Sequence, residues 1–252
     1  MTDTDIWKPL VAELDRWKRH GKQAQFWLRD DDAVVPTKAL DQLLDLSGRF
    51  AIPICLAVIP KETGGALARR LQDLSDVSVA LHGWSHENHA PADEKKQELG
   101  LHRGADIVLS ELRCGTAHLA TLYRQQFSGI LVPPWNRIDK RLVTHLPGLG
   151  LSGLSTFGPE QMLPIPAINT HVDLIDWKGT RGGRATEALI ADTVYRLQTT
   201  FIEGGSVGFL THHLVHDRAV WDFLERLFRL TTRHSGCTWR PAAALLPDPD
   251  QA

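Results

Sequence analysis

The sequence has no paired cysteines, no long apolar run and no excess of charge of either sign. Cys55, Cys114 and Cys237 lie far apart and form no CxxC motif. An odd, scattered set argues against a disulfide framework and suits a reducing compartment. No stretch approaches 18 uninterrupted apolar residues, so no membrane-spanning helix is expected. Residues 1–20 carry Trp7, Lys8, Glu13, Asp15 and Lys18 rather than a basic start followed by an apolar run. No secretory leader is therefore expected, and the expected location is the cytoplasm. The 28 Lys and Arg residues nearly balance 30 Asp and Glu residues, for a formal net charge of -2. No basic stripe tracks a phosphate backbone, which argues against nucleic acid as partner.

What is present is an ordinary globular composition, with 42% hydrophobic and 23% charged residues in a 252-residue chain. Such a chain buries a substantial core without disulfide or metal staples. Helical periodicity alternates with short β-rich runs. Residues 6–17, 38–50, 65–74, 103–126, 139–146, 186–199 and 218–230 read as helices. In the 103–126 helix, Ile107, Leu112, Leu119 and Leu122 are expected to face the core. Strands are expected at 26–28, 52–59, 77–81, 129–132, 151–157, 172–175 and 206–210. About seven strands separated by helices predict an α/β fold with a parallel sheet, for which a barrel is a natural closure. Residues 1–240 are expected to form one domain and 241–252, with Pro241, Pro247 and Pro249, a C-terminal tail.

The chemically capable residues follow the ends of these strands. Asp30-Asp31-Asp32 follows the first, and His82-Gly-Trp-Ser-His86 the third. Pro133-Pro134-Trp135-Asn136-Arg137 follows the fourth, Asp173 to Trp177 straddles the end of the sixth, and His212, His213 and His216 follow the seventh. In a parallel barrel all strand C-termini open on one face, where active sites sit. Singly, each cluster has an ordinary explanation. Twelve histidines in 252 residues give roughly 0.6 pairs at any fixed spacing by chance, and the chain has two H-x3-H pairs, His82/His86 and His212/His216. An acidic run before Pro36 and Thr37 often caps a helix. Yet three adjacent carboxylates repel one another, and a dication relieves that repulsion directly.

In chain order these pieces resemble the polysaccharide deacetylases, or NodB homology domain, from about Phe26 to His212. The resemblance implies a distorted (β/α)7 barrel carrying five motifs. The first, two adjacent aspartates after a strand, is matched by Arg29-Asp30-Asp31-Asp32-Ala33. It implies Asp31 as base and Asp32 as metal ligand; a shift of one residue gives those roles to Asp30 and Asp31. The second implies His82 and His86 as metal ligands, with Gly83 where the family has a hydroxyl residue. The third is similar to Val132-Pro133-Pro134-Trp135-Asn136, with Val132 where the family has an arginine that orients the catalytic aspartate; Arg29 and Arg137 are the candidates to replace it. The fourth is similar to Asp173-Leu174-Ile175-Asp176-Trp177, and the fifth, Leu-x-His, to Leu210-Thr211-His212.

One carboxylate and two imidazoles with open positions make a catalytic rather than a structural metal site, with zinc the default and cobalt, nickel or manganese able to occupy it. The resemblance implies removal of an N-acyl group, most simply N-acetyl, from an amino sugar or saccharide, with His212 as general acid. Asp173 or Asp176 would support His212 or anchor an arginine. Trp84, Pro134, Trp135, Asn136 and Trp177 are the candidate substrate-binding residues, although such tryptophans are more often core. The partner expected is a small molecule or oligosaccharide, and a homo-oligomer is left open. Three rivals stand beside this reading: a hydrolase of a non-sugar amide, imide or formamide; a non-catalytic carbohydrate-binding descendant; and a metal held by His212/His216.

Overall fold

The computed structural model describes residues 3–246. Helices α1 (Asp3–Ile6) and α2 (Lys8–Arg19) precede strand β1 (Ala24–Ala33). Then come α3 (Lys38–Arg49), β2 (Ile54–Val58), α4 (Gly65–Leu71), β3 (Val77–Leu81) and α5 (Ala105–Tyr123). The second half runs β4 (Phe127–Leu131), α6 (Lys140–Val143), β5 (Gly153–Leu154) and β6 (Val172–Asp173). It finishes with α7 (Thr186–Glu203), β7 (Ser206–Thr211), α8 (Arg218–Thr231) and β8 (Cys237–Trp239). None of these helices is long and apolar enough to cross a membrane.

The chain divides into two compact units, each assembled from separate stretches, and the division falls inside β1 between Asp30 and Asp31. In the first unit β1 pairs in parallel with β7, Phe26 opposite Val207 and Asp30 opposite Thr211. β7 also pairs in parallel with β6. Nearly every residue of β1 is buried, as expected for a parallel strand covered on both faces. The core there is aromatic: Phe26 meets Phe209 and Trp239 with ring centroids 5.6 and 5.4 Å apart, and Trp239 meets Phe228 at 5.3 Å. Helix α2 packs on this unit through Leu10, Leu14 and Trp17, spaced to share one helical face. Asp217 caps α8, its carboxylate accepting from the Val220 N–H at 3.0 Å, which satisfies a donor the helix start leaves over.

The second unit places β3 and β4 in parallel, with Val79 opposite Phe127 and Leu81 opposite Leu131. β4 also pairs in parallel with β5. Backbone bonds continue past the strand ends: His82 N–H donates to the Val58 carbonyl at 2.9 Å and Val132 N–H to the Leu81 carbonyl at 2.7 Å. The residues just beyond β3 and β4 are thus held as firmly as the strands themselves.

The expected α/β class with parallel pairing holds, and several details change: the expected strand 151–157 shortens to Gly153–Leu154 and the expected helix 139–146 to Lys140–Val143. The first strand is longer than Phe26–Leu28: the acidic run lies within β1, not after it. An eighth strand, β8, closes the stretch before the expected tail; Ala24 pairs with Cys237, and the packing of the half-buried Trp239 against three aromatic rings supplies the reason. Within the tail, 242–245 forms a short 3-10 turn, and 247–252 lies outside the described residues. In α5 the core face is Val108, Leu112, Leu119 and Tyr123. Ile107 is exposed and Leu122 half-buried, because the apolar stripe starts one residue later than the sequence suggested.

Burial pushes the Cys237 thiol up to about 12. Cys55 is buried as well, whereas Cys114 is exposed. A thiol reagent at pH 8 is expected to modify Cys114 alone in the native protein, and Cys55 and Cys237 only after unfolding. Rapid native modification of Cys237 would contradict this packing.

Candidate metal centre

Asp32 lies near the end of β1 with φ 71°, a left-handed conformation. This turns its side chain out of the strand alternation. His82 follows β3, and His86 lies one short loop further on, itself at φ 57°. Asp32 Oδ1 lies 3.1 Å from His82 Nε2 and 3.4 Å from His86 Nε2. One donor atom from each of the three lies within 4.8 Å of the others, and this is the sole such group of three among the described residues. His82 is buried, and its Nδ1 donates to the Val132 carbonyl at 2.9 Å. That bond fixes the tautomer and leaves Nε2 facing Asp32. A carboxylate and two imidazoles arranged this way suit a borderline dication.

The electrostatics agree with a cation site. Burial opposes charge on His82, yet the Asp32 hydrogen bond and the Asp31 and Asp32 carboxylates outweigh it and raise its pKa. His86 is lowered, by burial first and then by His82. The carboxylates favour charge on both imidazoles, while burial and repulsion from His82 oppose it on His86, so positive charge is favoured here but not on both rings at once.

The 133–137 segment approaches from β4. Trp135 and Asn136 both adopt left-handed backbone, φ 54° and 58°. The Trp135 ring lies 4.4 Å from that of His86. Asn136, Arg137, Gln97, Lys140 and Thr156 border a cavity of about 310 Å³, within the size range of small-ligand sites. Trp84 is half-buried. Pro134 is buried, and its ring fills the space above Gly83. Val132 serves through its backbone carbonyl, its side chain being fully buried. Arg137 donates to the Lys96 carbonyl at 2.8 Å and so braces the 90–102 segment.

Of the other candidates, Asp31 is buried beside Asp32 in the second unit, and the rest lie in the first. Asp30 takes a separate role from Asp32: it accepts from the His213 N–H at 2.8 Å and from His213 Nδ1 at 2.6 Å. Complete burial drives the Asp30 carboxyl upwards, against the His213 charge and hydrogen bond and the charge of His212. Arg29 is also fully buried. His212 packs edge-on to Trp177 at 4.6 Å, and the Trp177 indole donates to Asp173 at 2.9 Å. Asp176 instead closes its own loop, accepting from the Gly179 and Thr180 N–H groups. His216 bonds Thr211 and packs edge-on to Trp221 at 4.3 Å.

One participant has no counterpart among the residues expected from the sequence. Glu98, fully buried, accepts through Oε1 from the N–H groups of Trp84 and Ser85 and from the Ser85 hydroxyl, at 3.2, 2.7 and 3.1 Å. A lone glutamate in a stretch without periodicity gives no signal at the sequence level.

No protein-family model matches the sequence, and no curated protein does. Solved structures do match. A Mycobacterium smegmatis protein assigned to the polysaccharide deacetylases superposes with TM-score 0.68 at 14% identity, over 89% of this chain and 88% of that one. The chain has the polysaccharide deacetylase fold. A peptidoglycan deacetylase from Bacillus subtilis matches at TM-score 0.57 and 16% identity over 88% of this chain and 90% of that one. A family 4 acetyl xylan esterase from Clostridium thermocellum, solved with a cobalt ion, matches at TM-score 0.51 and 12% identity over 88% and 89%. The fold expected from the motifs is therefore the one this chain shares with these solved structures.

The His216 imidazole is pushed down to about 3, by burial first and then by repulsion from His213 and His212. Its folded pKa lies below the ordinary 6.5, so its contribution to stability is complete above that value and is lost as pH falls towards 3. Between pH 7 and pH 5, wild type is expected to lose of order 1 kcal/mol more stability than His216→Gln, read from urea midpoints. Equal losses would contradict the assignment.

Proposed function

We propose that the protein is a metal-dependent hydrolase that removes an N-acyl group, most simply N-acetyl, from an amino sugar or saccharide. The observation that carries this reading is the convergence of Asp32, His82 and His86 on one point, with Asp31 directly beside Asp32 in the chain. The likeness of the whole chain to deacetylases and family 4 esterases supports it. Asp32, His82 and His86 would hold the ion, with zinc the first choice and cobalt, nickel or manganese alternatives.

A bound dication supplies two things here, polarisation of the acyl carbonyl and acidification of a water molecule. The remaining steps belong to side chains. Asp31, buried next to the ligand Asp32, accepts the proton of the attacking water at its carboxylate. His212 returns a proton to the departing amine nitrogen, so that amide and water become amine and carboxylic acid. Arg29, two residues before Asp31 in the same strand, replaces the arginine absent at Val132 as the group that orients the base, since Arg137 is bonded to Lys96. Asp173 holds Trp177 against His212, and Trp84, Trp135 and Trp177 offer apolar faces to a sugar ring. We place this activity on one domain, residues 1–240, in the cytoplasm.

Zinc content and acetate release from N-acetylated chitooligosaccharides test the proposal together. Wild type reconstituted with zinc is expected to bind about one equivalent per chain and to release acetate. His82→Ala is expected to lose both. Asp31→Asn should keep its metal and lose turnover by about 10²–10⁴-fold, the usual worth of a general base. Full activity in Asp31→Asn would remove Asp31 from that role. Turnover of small amides or formamides in place of acetylated sugars would move the substrate to the non-sugar class while leaving the metal site intact.

A further inference from the structure

The loop that carries both histidines bends through two left-handed residues, Gly83 at φ 60° and His86 at φ 57°. Between them the Trp84 and Ser85 N–H groups point to one side, forming a backbone concavity suited to an anion. Glu98 fills it, with Oε1 taking both N–H groups and the Ser85 hydroxyl. Glu98 is fully buried, where an unmet donor or acceptor costs about 1–3 kcal/mol. Its seat is fixed on both sides. Gln97 N–H donates to Asn88 Oδ1 at 2.9 Å, His89 N–H donates to the Gln97 carbonyl at 3.1 Å, and Asp139 N–H donates to the Leu99 carbonyl at 2.8 Å.

Gly83 is matched to this arrangement. A Cβ at position 83 would lie 2.0 Å from Glu98 Oε2 and 2.7 Å from Pro134 Cγ. Any side chain there competes for the volume that the glutamate occupies. The absent hydroxyl of motif two and the buried carboxylate of residue 98 are two aspects of one packing solution.

We propose that Glu98 is the positioning residue of the metal centre: its Oε1 holds the 83–85 backbone in the conformation that presents His82 and His86 to Asp32. The inference rests on the reading of Asp32, His82 and His86 as metal ligands. The 90–102 segment then acts as a clamp behind the ligand loop. Three backbone contacts made by residues 89–99, together with the Arg137 bond to the Lys96 carbonyl, tie it down.

The test separates reach from charge. Glu98→Gln keeps an acceptor oxygen at the same distance and removes the charge. Glu98→Asp keeps the charge and withdraws the oxygens by one methylene. Zinc affinity is measured by competition with a chromophoric chelator, on variants whose circular dichroism matches wild type. Binding by wild type establishes the ligand reading, and its failure to bind would refute that reading independently of Glu98. Given wild-type binding, Glu98→Asp is expected to weaken zinc about 10–100-fold, the usual effect of losing a group that orients ligands. Glu98→Gln is expected to stay within about threefold of wild type. Wild-type affinity in Glu98→Asp, or a loss in Glu98→Gln as large as that in Glu98→Asp, would overturn the positioning role. Should Glu98→Asp not fold, Glu98→Ala supplies the same readout by removing the acceptor without straining Gly83, and wild-type affinity there would also overturn it.

Discussion

Asp32 sits where β1 stops alternating. In a regular strand its side chain would share a face with Asp30, which is locked to His213; the left-handed turn at φ 71° frees Asp32 to meet two imidazoles. The other members of the candidate metal centre are arranged around that departure. His82 is aimed by the Val132 carbonyl, and His86 by a loop seated on Glu98. Left-handed backbone at a non-glycine residue costs roughly 1–2 kcal/mol, and Asp32, His86, Trp135 and Asn136 all adopt it. The combined cost is a sizeable share of the roughly 5–15 kcal/mol that stabilises a typical domain. Such strain persists only where the surroundings enforce it, and its concentration around one donor cluster is what a functional site looks like in backbone terms.

The enforcing groups are mostly carbonyls and buried carboxylates rather than exposed ion pairs. Strand pairing delivers His82 and Val132 side by side, since each extends a parallel ladder by one hydrogen bond. Glu98 then satisfies N–H groups that the end of β3 leaves without a ladder. Asp30 and His213 perform a comparable service in the first unit, fixing the backbone next to His212. In both units a buried acid next to a chemically capable residue does structural duty.

Much of this was legible in the sequence, and the reason is periodicity. His82 and His86 could be placed because Val77–Leu81 reads unambiguously as a strand, and residues directly after a parallel strand lie at its C-terminal end. Asp31 and Asp32 emerged from a motif whose resemblance split the duties among three successive aspartates, with a shift of one residue left open. That split depends on a backbone angle at Asp32 and on a partner 183 residues away from Asp30. Asp176 also closes its own loop and Pro134 also packs over Gly83, contacts that position along the chain does not reveal. Glu98 and β8 were missed because long-range fit decides them: one buried oxygen against two N–H groups, and Trp239 against Phe26, Phe209 and Phe228. Neither leaves a pattern along the chain.

The central claim is that one dication sits between Asp32, His82 and His86. Anomalous diffraction at the zinc edge, from crystals of protein reconstituted with zinc, tests it without recourse to any substrate. The account predicts a strong peak within coordination distance of Asp32 Oδ1 and of the Nε2 atoms of His82 and His86, roughly 2.0–2.2 Å from each. A dominant peak at His212 and His216, or none at the three-residue cluster, would contradict it.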